Sequence, residues 1–139
     1  MPDYYFHPDI QSAYSAVHKW LADQTEAKGY KNISHEQARE LLPVKTLESA
    51  AAQYNVFFPG HYFKVIYTLE NIVTSEKLLD WINTNQHILL IDVGCGAGAA
   101  TIAFLERIIS LRESKQFTNS LEIFCIGIDI NYESLTIYN

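Results

Sequence analysis

Hydrophobic residues in this chain follow two rhythms, and the change between them falls near residue 87. Before it, apolar positions recur every three or four residues, as on one face of a helix. After it, short unbroken apolar runs bounded by glycine and polar residues signal strands. Ile10, Tyr14, Val17 and Leu21, with Trp20 beside them, share one helical face and predict a first helix from about Pro8 to Lys28. Pro8 suits the first helical position and Gly29 the position just past the end. Ser34-His35-Glu36-Gln37 has the capping-box pattern of a short second helix, which Pro43 stops. Thr46 caps a third helix through Ala50, Ala51 and Ala52 to about Tyr54, and Phe57-Phe58-Pro59-Gly60 reads as an apolar turn. A fourth helix carries Tyr62, Phe63, Ile66, Leu69 and Ile72 to about Val73. A fifth opens at Thr74 or Ser75, buries Leu78, Leu79 and Ile82, and ends in the polar Asn83-Thr84-Asn85.

From His87 the pattern predicts a strand over 88–93, a helix from about Ala97 to Leu111, a polar connection from Arg112 to Ser120, a strand over 121–129 and a helix opening at Asn131. The fold class is therefore α/β: a helical N-terminal region, residues 1–87, followed by β-α-β-α in residues 88–139. Apolar side chains on both faces of the first strand suit a parallel sheet covered on both sides. Tyr54, Phe57, Phe58, Tyr62, Phe63 and Tyr67 fit a helix–helix core between the two regions better than a substrate wall.

The connection between the first strand and its helix carries the chemistry. Asp92-Val93-Gly94-Cys95-Gly96-Ala97-Gly98 places glycine at every second position, where backbone can approach a ligand closely and take positive φ. The following helix turns unpaired N–H groups and a partial positive charge toward that loop. The second strand, Ile123-Phe124-Cys125-Ile126-Gly127-Ile128-Asp129, also ends in an acid, and a carboxylate there can accept hydrogen bonds from vicinal hydroxyls.

In this stretch the sequence resembles the class I S-adenosylmethionine-dependent methyltransferases. Their first motif is an apolar strand followed by acid-x-Gly-x-Gly-x-Gly, and their second is a strand ending in an acid. The resemblance covers roughly residues 88–139 and implies the first part of a Rossmann-like domain with S-adenosylmethionine as cofactor. By it, the backbone of Gly94, Cys95, Gly96 and Gly98 lines the methionine part, Asp92 helps hold the amino end through the loop, and Asp129 takes the ribose hydroxyls. The family motifs near the fourth strand, which usually meet the substrate, have no counterpart here. The resemblance therefore nominates no catalytic residue and no methyl acceptor, and it reads the chain as the N-terminal portion of such an enzyme, inactive alone. It also implies that strand 88–93, lacking its fourth-strand neighbour, presents an open apolar edge through which copies of the chain can associate.

Two alternatives stand beside this reading. Gly94, Gly96 and Ala99 also satisfy the G-x-G-x-x-G/A pattern of an NAD(P)-binding oxidoreductase. Against it, an acid two residues before the first glycine is unhelpful near a pyrophosphate and acceptable near a sulfonium and an ammonium. Asp129 also lies about 30 residues beyond Gly98, where the dinucleotide fingerprint expects roughly 20. The second alternative is a non-catalytic methyltransferase-like scaffold. Ala51 to Ile72, with Pro59 and Lys64-Val65, is similar in spacing to the methyltransferase-like proteins of mitochondrial small-ribosomal-subunit assembly.

Composition narrows the remaining classes. At 48% hydrophobic and 19% charged residues the chain is globular, and a net charge of −6 does not indicate nucleic-acid binding. Met1-Pro2-Asp3-Tyr4-Tyr5 has no signal-peptide character, and no apolar run approaches a membrane span. Cys95 and Cys125 fit reduced thiols and a cytoplasmic setting better than a disulfide framework. His7, His18, His35, His61 and His87 show no metal-ligand spacing, and Glu106, Glu113, Glu122 and Glu133 read as solvated.

Overall fold

The computed structural model describes residues 6–139; Met1 to Tyr5 and the side chains of Ile72 and Val73 lie outside the described residues. Helix α1 spans Pro8–Asp23, α2 His35–Glu40, α3 Leu47–Glu70 and α4 Ile72–Thr84. Strand β1 spans His87–Val93, α5 Ala99–Glu113, β2 Glu122–Ile128 and α6 Tyr132–Tyr138. The chain is thus mixed α/β and mostly helical. The capping box of Ser34 with Gln37 opens α2 as its sequence requires, and Thr46 caps α3 as expected, in a box completed by the Ser49 hydroxyl. Among the described residues no helix is long and apolar enough to cross a membrane.

Helix α3 departs most from the sequence reading. The expected turn at Phe57-Phe58-Pro59-Gly60 does not form; one helix of 24 residues runs through it. Tyr54, Phe58, Tyr62 and Ile66 recur every fourth residue on its buried face. Packing along that whole face outweighs the roughly 3 kcal/mol that an interior proline costs. The first helix is shorter than expected: it ends at Asp23, where the Gln24 amide bonds back to Leu21, and 3-10 turns follow at Thr25–Ala27 and Tyr30–Asn32. Of its predicted face, Leu21 is buried, Ile10, Tyr14 and Val17 pack on the core, and Trp20 stays 39% exposed. Helix α5 begins at Ala99, two residues later than expected, because Gly98 takes a left-handed conformation at its cap.

Strands β1 and β2 pair in parallel in a two-stranded sheet, with Leu89 opposite Phe124, Ile91 opposite Ile126 and Val93 opposite Ile128. Alternation sends Ile88 and Ile123 toward the helices, where they join Ile82, Ile108, Leu111 and Phe117 in one core cluster. The other face is open, which corrects the expectation of a strand covered on both sides: Leu89 is 59% exposed and Phe124 60%. Among the described residues β1 has no second strand neighbour. A larger cluster joins the two regions of the chain, with Leu21, Tyr54, Phe58 and Tyr62 packed against Ala99, Ala103 and Ile137.

Candidate functional site

Parallel pairing brings the carboxyl ends of β1 and β2 side by side, and the glycine loop is tied to the second strand there. The Gly94 and Cys95 amides both donate to the Ile128 carbonyl, at 2.7 and 3.2 Å. Gly94, Gly96 and Gly98 have φ of +73°, +53° and +83°, the left-handed region that glycine enters without steric cost. A Cβ added at Gly94 or Gly96 meets nothing within 4 Å, so open space adjoins the loop at both positions. Gly98 is different. A Cβ there would lie 2.7 Å from the Tyr138 ring, and one at Gly127 would also lie 2.7 Å from it. The α6 tyrosine therefore fills the gap between loop and second strand, and both glycines make room for it.

Both predicted acids sit at this junction. The Asp92 carboxylate accepts from the Thr101 hydroxyl at 2.8 Å. That proton being committed, Tyr138 donates its own to the Thr101 oxygen across 3.2 Å. Asp129 reaches back to the loop: Oδ2 accepts from the Gly96 amide at 2.8 Å, while Oδ1 accepts from the Asn131 amide at 2.8 Å and its Nδ2 at 2.9 Å. A carboxylate offers about four lone-pair sites. Oδ1 is thus saturated, and Oδ2 keeps one site for a further donor. Asp92 and Asp129 also give the loop a negative field. The Cys95 thiol is pushed up by burial first and then by these two carboxylates, so it stays protonated and is no nucleophile.

A cleft of about 190 Å³ opens beside the loop, lined by Gly94, Cys95, Gly96, Ala97 and Ala99 on one wall and by Asn131 and Ser134 at the start of α6. Its opposite wall is α3, which contributes Gln53, Tyr54, Phe57, Phe58 and His61. Gln53, Phe57 and His61 form a stripe at four-residue spacing beside the buried face, and the Phe57 and His61 rings stack at 6.0 Å. Burial, and then Lys64, lowers the His61 pKa, which favours its neutral form. Sequence reasoning set a wall aside for Tyr54, Phe57 and Phe58 in favour of a core, and it missed Gln53 and His61. The stripe becomes visible only once α3 is read as continuous past Pro59. The aromatic residues divide between roles: Tyr62 is core, Tyr54 and Phe58 are both core and cleft wall, and Tyr67 is 66% exposed and in neither.

Other expectations change as well. Glu106 is not solvated: it is half-buried and accepts from the Tyr62 hydroxyl, and burial raises its pKa. Glu113 lies 3.7 Å from His7, and Glu122 lies 3.1 Å from His87, both carboxylates staying exposed. Among the described residues no group of three or more His, Cys, Asp or Glu side chains could hold a metal ion. Compared with protein-family models, curated proteins and solved structures, the chain matches none of them.

Proposed function

We propose that residues 88–139 form part of a Rossmann-like S-adenosylmethionine site, and that the protein to which they belong transfers a methyl group to an acceptor. The observation that carries this reading is the pair of carboxylates, Asp92 and Asp129, flanking a loop of three left-handed glycines at the tip of two parallel strands. Two acids repel a pyrophosphate and attract a ligand bearing sulfonium and ammonium charge, which favours S-adenosylmethionine over NAD(P). The residues fit that group in stated respects. Open space adjoins Gly94 and Gly96, and α5 begins with no side chain capping its first-turn amides. Asp129 Oδ2 holds one free acceptor site, and the Asn131 side-chain amide is the partner that must yield for a ribose diol to engage both oxygens.

When bound, S-adenosylmethionine supplies an electrophilic methyl carbon. This chain's own residues bind and orient. Loop backbone and Asp92 hold the amino-acid end, Asp129 holds the hydroxyls, and α3 walls the cleft against water. Positioning of this kind supplies much of the acceleration of a displacement. A cytoplasmic setting belongs to the same proposal, and the unpaired thiols of Cys95 and Cys125 are compatible with it. A second reading, a non-catalytic methyltransferase-like scaffold, draws support from Asp129, three of whose acceptor sites already brace the protein itself.

Titration calorimetry of the full-length protein to which these residues belong, with S-adenosylmethionine, S-adenosylhomocysteine and NAD, separates these readings; residues 1–139 alone should bind weakly or not at all. Binding of the first two without NAD is expected, and Asp129→Ala should weaken it by about 1–3 kcal/mol. Binding of NAD alone would assign the loop to a dinucleotide. Heat from none of the three would favour the scaffold.

A further inference from the structure

We propose that His61 selects by charge what the cleft holds, admitting the sulfonium of S-adenosylmethionine when its ring is neutral and opposing it when its ring is an imidazolium. The uncharged sulfur of S-adenosylhomocysteine is admitted in both states. The proposal rests on the methyltransferase reading and adds to it a residue that tells cofactor from product. Its placement comes from α3. His61 lies one turn beyond Phe57 and two beyond Gln53, and all three face Gly94, Cys95 and Gly96 across the cleft. The stripe is held in place. The His61 ring stacks on Phe57 with 18° between their planes, and His35 meets the same Phe57 ring edge-on at 5.4 Å. The Gln53 side-chain amide donates to the Ala38 carbonyl. His61 itself stays exposed, so its ring can exchange a proton with water.

The cleft is small, about 190 Å³, so charges inside it are close neighbours. Salt screens such pairs little, because the Debye length is about 8 Å at physiological ionic strength. The two ligands differ by one methyl group and one positive charge at sulfur. Their other groups are shared and cancel in a comparison. Among the described residues, the ionisable groups around His61 come from three elements. Lys64, on α3 itself, adds positive charge, and His35 of α2 reaches His61 only through Phe57. The loop presents the Cys95 thiol, with the Asp92 and Asp129 carboxylates behind it, and Tyr54 of α3 lines the cleft as a phenol that burial keeps protonated. Partial burial first, and Lys64 second, hold the His61 pKa below its ordinary value of about 6.5. The ring is therefore neutral at pH 7.5 and gains charge as pH falls below about 6.5. An imidazolium there opposes a sulfonium, and by linkage a bound sulfonium opposes protonation of the ring.

Titration calorimetry of the full-length protein with each ligand, from about pH 7.5 down to about pH 5, tests this. The quantity read is the ratio of S-adenosylmethionine affinity to S-adenosylhomocysteine affinity. In the wild type it should fall about three- to tenfold over that range, the size expected of one like-charge pair at partly solvated separations. In His61→Gln, an exposed position where folding is preserved, the ratio should stay flat. His35→Gln leaves the cleft lining intact and should follow the wild type. A wild-type ratio that does not change with pH overturns the proposal. So does a pH-dependent ratio that survives His61→Gln or disappears in His35→Gln. Heat from neither ligand at about pH 7.5, where the ring is neutral, is a different result: it removes the cofactor reading itself, and the role of His61 with it.

Discussion

Gly96 and Gly98 both hold left-handed backbone, yet they answer to different constraints. At Gly96 only the conformation demands glycine, and the adjoining space is open. Gly96→Ala should therefore cost about 1 kcal/mol of stability. At Gly98 the added methyl also collides with the Tyr138 ring. Gly98→Ala should cost more, by about 1–3 kcal/mol of overpacking. In a Tyr138→Ala background that excess should vanish, a non-additivity that urea denaturation of the four proteins would reveal. Equal costs at the two glycines would mean that Tyr138 is not wedged against the loop.

His18 offers a pH test at the same scale. Its ring packs against Tyr14 and Tyr54, and its Nδ1 lies 3.0 Å from the Tyr30 hydroxyl. Burial first, and Lys31 second, hold its pKa below the ordinary value. The unfolded chain therefore binds this proton more readily than the folded one. The stability that the neutral ring contributes is complete above the unfolded value of about 6.5 and is lost as pH falls through that value and the lower folded one. His18→Phe keeps a ring in place and removes the titration. Its stability should fall less than wild type's on going from neutral to mildly acidic pH in urea melts. Parallel curves for the two proteins would refute the assignment to His18.

At the scale of elements, what the sequence reveals depends on how local the cause is. The helix caps at Ser34 and Thr46 and the glycine loop are written in a few adjacent residues, and the structure contains them where the sequence places them. The continuity of α3 is not local. Pro59 and Gly60 argue for a break, and only the burial of Tyr54, Phe58, Tyr62 and Ile66 against the rest of the molecule overrules them. That Gln53 and His61 share a cleft wall with Phe57 was hidden for the same reason. The uncovered face of β1 likewise depends on which helices pack where, and its apolar alternation cannot report that. Continuity of α3 makes a definite prediction. Gly60 is exposed in a helix interior with nothing within 4 Å of an added Cβ, so Gly60→Ala should stabilise by about 0.5–1 kcal/mol. Pro59→Ala should also stabilise, by up to about 3 kcal/mol, as the helix regains an amide donor. A true turn at 57–60 would instead lose stability with both changes, and thermal melts would distinguish the two cases.

For the molecule as a whole, the decisive fact is that the larger core cluster does not respect the boundary near residue 87. Leu21 from α1 and Tyr54, Phe58 and Tyr62 from α3 pack with Ala99 and Ala103 of α5 and Ile137 of α6. Neither the helical region nor the β-α-β-α segment encloses that cluster alone, so the two should unfold in one cooperative transition. Ala103 is fully buried where they meet. Ala103→Leu should overpack the contact and cost about 1–3 kcal/mol. Although the change lies in α5, the loss should register equally in fluorescence of Trp20, on α1, and in hydrogen exchange of β1 amides. Residues 88–139 alone should show no cooperative melt, because their share of the core would face water. Independent folding of that segment, or a Trp20 transition indifferent to Ala103→Leu, would show two separable units. In that event α3 would be an added lid over the glycine loop, and no longer part of the support that holds the loop in place.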